Sequence, residues 1–288
     1  MNGNGERLGV RKMYKLFING AFVRSESARS DAVDGENVAH ASRKDARDAV
    51  VAARAAFEKW NDQSPSLRGL VLYRLAEMME SRAPELAAQL EVGGTCSEKA
   101  ARREVTAAID RTVWYAGWCD KYVALASTRN PVSGPHFNFS TTEATGVVAV
   151  AAPDEPALLG LVTAVIPPLV SGNAVVAMAS ERDPRTAIVF AECLATSDLP
   201  AGACNILTGV RSDVLPVLAG HMDVNAIAAA GLSATEEKQL GELAAENVKR
   251  THFEAGGKPA DWFDARYDDL DRVLAYTEIK TIWHPARI

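Results

Sequence analysis

The chain's 288 residues are enough to bury a sizeable core in one or two domains, and 48% hydrophobic with 24% charged residues describe an ordinary globular protein. A formal net charge of −6 leaves no basic footprint for nucleic acid or an anionic membrane. No apolar run has the length of a membrane span, and Met1–Arg7 carries no apolar signal region, so a cytoplasmic protein without nucleic-acid or membrane partners is expected.

Cys96, Cys119, Cys193 and Cys204 form no C-x-x-C pair, and Cys193 and Cys204 are expected to be buried small hydrophobes. His40, His136, His221, His252 and His284 are scattered with no carboxylate at ligand spacing, so no metal site is expected.

In chain order, Met13–Val23 carries two alternating apolar runs around Asn19-Gly20, a type I′ hairpin signal. Ser42 with Asp45 three residues on predicts the start of an amphipathic helix through Trp60. Helices follow at about Ser66–Met79 and Pro84–Leu90. Gly93-Gly94-Thr95 breaks the pattern, and Ser97–Leu125 reads as one long helix with a packing face of Trp114, Tyr115, Trp118 and Tyr122. His136–Ser140 alternates and Thr141–Thr145 reads as a turn, giving a β-hairpin excursion over about 131–146.

Val147–Glu181 is the organising stretch. A buried strand, Val147–Ala152, an apolar helix, Leu158–Val170, a Ser171-Gly172-Asn173 stop and a second buried strand, Ala174–Ala177, make a right-handed βαβ unit with parallel strands. Such a unit is the core of a doubly wound α/β domain, whose ligands sit at the carboxyl ends of the strands. Helix, strand and helix follow at Pro184–Ala195, Cys204–Leu207 and Ser212–Ala219. Strand Ala226–Ala230 leads through a turn at Gly231 to helix Ser233–Asn247, which opens with a Ser233/Glu236 capping box. Strand Lys249–Phe253 comes next, and 260–280 reads as loop and helix.

The stretches AVVAARAAFEKW, RGLVLYRLAEMMESR, SGNAVV, LPAGACNILTG and FEAGGK, the last at Phe253–Lys258, occur in this order along nearly the whole chain. Together they resemble the NAD(P)-dependent aldehyde dehydrogenase family. The resemblance implies a Rossmann-like doubly wound parallel sheet, the family's cofactor-binding domain, spanning 1–288 with a protruding arm at about 131–146 and no catalytic domain. Chemistry in that family runs through a cysteine nucleophile, hydride transfer to NAD or NADP and a glutamate-activated water. The place of the cysteine stretch falls at Trp283–Ile288, which has no cysteine. Carried over by position, Glu254 matches the general base, and Ser180, Glu181, Gly209, Gly231 and Ser233 match cofactor-binding positions.

Other family positions differ. The asparagine that holds the oxyanion is lost from Pro153-Asp154-Glu155-Pro156, Met178 stands for the ribose-binding lysine, and Glu236 replaces a glycine where a pyrophosphate approaches. The expectation is therefore a non-catalytic member with Glu254 a structural survivor; the resemblance implies NAD or NADP as cofactor, and these changes leave open whether it still binds. It would act as an oligomerising or regulatory partner, a homodimer or a hetero-oligomer with a full-length aldehyde dehydrogenase. The usual C-terminal arm is expected to be missing, which favours a dimer over a larger assembly. Two alternatives stand beside it. One is an NAD(P)-dependent oxidoreductase, or the cofactor half of a split one with its cysteine supplied in trans. The other is a binder of neutral or cationic ligands, favoured by Asp154, Glu155 and Glu236.

Overall fold

The computed structural model describes residues 11–92, 96–255 and 261–286. The expected break at 93–95 and the turn at 256–258 lie outside the described residues. Met13–Tyr14 (β1) pairs in parallel with Glu36–Ala39 (β5), which pairs antiparallel with Ser30–Val33 (β4) in a small sheet. Between them, Leu16–Ile18 (β2) and Ala21–Val23 (β3) form the predicted hairpin, with Asn19 and Gly20 at φ 52° and 73° as a type I′ turn requires. Four helices follow, Arg43–Asn61 (α1), Pro65–Ser81 (α2), Ala83–Val92 (α3) and Glu98–Ala116 (α4), and the Ser42/Asp45 capping box is formed.

Two expectations in this region are corrected. The long helix stops at Ala116, capped by Gly117, and resumes only as the short Tyr122–Ala126 (α5). Residues Thr141–Thr145 do not turn. They continue the long strand His136–Ala144 (β7), which pairs with Thr128–Asn130 (β6).

The central sheet holds Val147–Ala151 (β8), Ala174–Met178 (β9), Cys204–Leu207 (β10), Ala226–Leu232 (β11) and Arg250–Ala255 (β12). Its order is β12-β11-β8-β9-β10-β2-β3, with the first five strands parallel and the N-terminal hairpin added antiparallel at one edge. The crossovers are Ala157–Val170 (α6), Pro184–Leu194 (α7), Arg211–Gly220 (α8) and Ala234–Ala245 (α9). All residues of β8 and β9 are buried because both faces of the sheet are covered. Val148, Val150 and Val175 pack with α2, α4, α6 and α7, whereas Val147, Ala149 and Val176 pack with α1, α8 and α9. This alternation makes the sheet doubly wound.

Beyond β12 come a single 3₁₀ turn, Ala265–Tyr267, the short helix Asp271–Leu274 (α10) and Thr277–Pro285 (β13). The last strand corrects the loop-and-helix expectation for 277–280, whereas the 3₁₀ turn and α10 agree with it. It pairs antiparallel with β7 along all nine residues, from Thr277 opposite Ala144 to Pro285 opposite His136. The arm is therefore a three-stranded sheet that includes β13 near the C-terminus, and the expectation of a missing C-terminal arm falls. With it goes the stated reason for preferring a dimer to a larger assembly. Trp283–Pro285, matched by position to the cysteine stretch, are arm residues paired with β7.

Candidate functional site

In the sheet, β8 leads into α6 on one face and its neighbour β11 leads into α9 on the other. Their carboxyl ends thus part at a topological switch point, the place where doubly wound sheets take ligands. Helix N-termini gather along this edge, and each carries unpaired N–H groups and a positive dipole end that attract anions such as phosphate.

At three of them the anion belongs to the chain itself. The N-terminus of α6 has no side-chain cap of its own. The buried Glu104 of α4 supplies one, accepting from Leu158 N at 2.8 Å and Leu159 N at 3.1 Å. Burial pushes its carboxyl up from the ordinary glutamate range, opposed by those two N–H groups. The N-terminus of α8 is met by Glu181, whose Oε1 accepts from Arg211 N. At α9, Glu236 accepts from Ser233 N at 2.8 Å and Ser233 Oγ at 2.6 Å, and these bonds hold its carboxyl below the ordinary range.

Arg211 fills the switch point. Its Nη1 donates to Ala230 O on β11 at 3.2 Å, and its Nη2 donates to Ala152 O just beyond β8 and lies 3.5 Å from Asp154 Oδ1. Two of the predicted cofactor positions, Glu181 and Gly231, lie beside it. Ser180 Oγ donates to Asp154 O at 2.9 Å and accepts from Arg182 N and Asp183 N. Glu181 N donates to Asp154 Oδ1 at 2.9 Å. Gly231 stands at the bulge in β11, close enough that a Cβ there would come within 3.9 Å of Arg211 Nη1. Gly209 lies one strand away, against Ala41 and His40. Met178 is fully buried at the end of β9.

Glu254 stands near the end of β12, opposite Ala230 in the register with β11. It is ion-paired with Arg272 at 2.5 Å and accepts from Tyr267 Oη at 3.4 Å. Tyr267 stacks on Trp262, with ring centroids 4.6 Å apart, and sits beneath the guanidinium groups of Arg111, Arg266 and Arg272. A cavity of about 800 Å³ lies beside these groups, between β11, β12 and the segment 262–276.

The acids expected to draw a neutral or cationic ligand have partners too. Asp154 faces Arg211, Glu155 pairs with Arg182 at 2.6 Å and Glu236 closes the cap. Sequence reasoning missed Glu104 and Arg211. The available signal for Glu104 was an acid among Ala101, Val105 and Ala108 on the buried face of α4. His40 Nδ1 lies 2.7 Å from Asp31 and Nε2 3.3 Å from Asp213, partners far apart in sequence.

Among the described residues no group of three or more His, Cys, Asp or Glu is placed to hold a metal ion, and no helix is long and apolar enough to cross a membrane. Cys193 and Cys204 are buried as expected, and burial raises both thiols, Cys193 to about 12.

Comparison with known proteins accords with this architecture. The aldehyde dehydrogenase family model matches residues 26–283. The chain is 31% identical over 286 residues to the NADP/NAD-dependent aldehyde dehydrogenase PuuC of Escherichia coli, covering 95% of this chain and 57% of that protein. It is 34% identical over 255 residues to aldehyde dehydrogenase family 2 member B4, mitochondrial, of Arabidopsis thaliana, covering 85% of this chain and 47% of that one. A solved NAD⁺ complex of an aldehyde dehydrogenase from Bacillus cereus superposes with a TM-score of 0.81 at 26% identity, over 86% of this chain and 52% of that one. The chain thus spans about half the length of these relatives. It belongs to the aldehyde dehydrogenase family.

Proposed function

We propose that this chain is a non-catalytic member of its family, one that keeps the cofactor-domain fold and the arm and works in the cytoplasm as an oligomerising or regulatory partner. Its partner is a second copy of itself or a full-length aldehyde dehydrogenase. The observation that carries this reading is that the chain's own side chains meet the helix N-termini along the carboxyl edge of the sheet. Three helix N-termini at the carboxyl edge hold Glu104, Glu181 and Glu236, and Arg211 holds the switch point. A pyrophosphate approaching that edge meets carboxylates instead of free N–H groups. As placed, these carboxylates disfavour NAD and NADP at that edge.

The arm supports the partner role. Its edge strand β13 exposes Ile279 and Trp283, and β7 exposes Phe137, side chains whose burial against another subunit is favourable. Sedimentation of the purified chain, and co-purification with a co-expressed full-length aldehyde dehydrogenase, test the proposal. A stable complex of either kind is expected. A strict monomer that captures no dehydrogenase refutes it.

A second reading draws on Glu254 and on the NAD-bound relatives: the cofactor half of a split oxidoreductase whose cysteine comes from another chain. Calorimetric titration with NAD and NADP separates the two. A Kd below about 100 µM, roughly −5.5 kcal/mol, favours the split enzyme.

A further inference from the structure

We propose that Arg211 is a built-in occupant of the switch-point crevice, a guanidinium that stands where a doubly wound sheet takes its ligand and keeps nucleosides and nucleotides out. This rests on the reading above that the cofactor positions no longer hold a dinucleotide, and it names the residue that closes them. The placement is the first support. Arg211 begins α8, yet its side chain reaches across the two parting strands and bridges carbonyls at Ala152 and Ala230. Only a tenth of that side chain is exposed.

Charge is the second support. A buried guanidinium is costly unless it is paired, and Asp154 lies 3.5 Å away while Glu181 accepts from the same residue's peptide N–H. Acids that would repel a pyrophosphate here serve as counter-charges to Arg211. A phosphate-binding role is disfavoured, because both Nη atoms already serve backbone carbonyls and carboxylates flank the group.

The test is calorimetric titration with adenosine and with NAD of the wild-type chain, Arg211→Gly and Arg211→Met. Arg211→Gly is expected to bind adenosine at least tenfold more tightly than the wild type. NAD gains less, because Asp154 and Glu236 are then unmasked toward its pyrophosphate, and adding Asp154→Asn recovers part of the difference. Arg211→Met fills the same length without donors and is expected to show no gain. A folded Arg211→Gly with wild-type adenosine affinity overturns the inference, and so does an equal gain in Arg211→Met.

If Arg211→Gly does not fold, phenylglyoxal labelling of the wild type decides. Protection of Arg211 relative to the exposed Arg266 supports the inference, and equal modification overturns it. Tight NAD binding by the wild type sinks the parent reading, whereas absence of gain in a variant of a non-binding wild type sinks this inference alone.

Discussion

Glu104 offers the sharpest test of the self-capped edge. It is 7% exposed, and its carboxylate accepts from the N–H groups of Leu158 and Leu159, both in fully buried residues. Replacing it with alanine orphans two buried donors at roughly 1–3 kcal/mol each, less the relief from removing a buried charge, so Glu104→Ala is expected to cost about 3 kcal/mol at neutral pH. Glutamine keeps a carbonyl oxygen for the same donors and is expected to cost less than about 1 kcal/mol.

The pH dependence carries a sign. Burial raises the folded-state pKa of Glu104 above its unfolded value. The folded state therefore holds the extra proton in the window above about pH 4.3, and the stability this group contributes is lost as pH rises through the folded pKa. Asp183 is shifted the same way by burial, so the comparison with Glu104→Gln is needed to isolate Glu104. Urea unfolding between about pH 5 and pH 8 should show the wild type losing ground to Glu104→Gln as pH rises. A Glu104→Ala variant within about 0.5 kcal/mol of wild type, or a gap that widens in the wild type's favour, would refute the assignment.

Three further outcomes are expected. Asn173, fully buried, accepts from Gly146 N at 2.7 Å and donates to Tyr276 O at 2.9 Å, so Asn173→Ala should cost about 3 kcal/mol by chemical denaturation. A loss under about 1 kcal/mol would mean water takes over those groups. Burial lowers Lys249 to about 8, so the folded state sheds its proton before the unfolded chain does, and stability from this group should rise between about pH 8 and pH 9.5. Melting curves of Lys249→Met should lack that rise. Tyr115 Oη donates to Tyr267 O at 2.7 Å and pins the 262–276 segment to α4. Tyr115→Phe is expected to cost about 1 kcal/mol and to speed proteolysis there, and unchanged cleavage would count against the pin.

The sequence by itself determined the elements whose causes are local. The Asn19-Gly20 hairpin, the capping boxes at Ser42 and Ser233 and the βαβ unit from Val147 to Met178 each depend on residues a few positions apart. Two local readings failed for lack of an equally local cause. The apolar spacing runs past Ala116, but the chain breaks at Gly117, and Thr141–Thr145 could not show that a partner strand keeps them extended. That partner, β13, lies more than a hundred residues further along, beyond the reach of any windowed pattern.

The site followed the same division. Ser180, Glu181, Gly209, Gly231, Ser233 and Glu254 were legible as positions, but not the groups that engage them. Arg211 meets Ala152 from 59 residues away, Glu104 reaches Leu158 from 54, and His40 finds Asp213 from 173. Tertiary structure alone decides such pairings, because a buried charge or polar group is tolerable only where the fold brings it a partner, and sequence spacing does not record which carbonyl or N–H that will be.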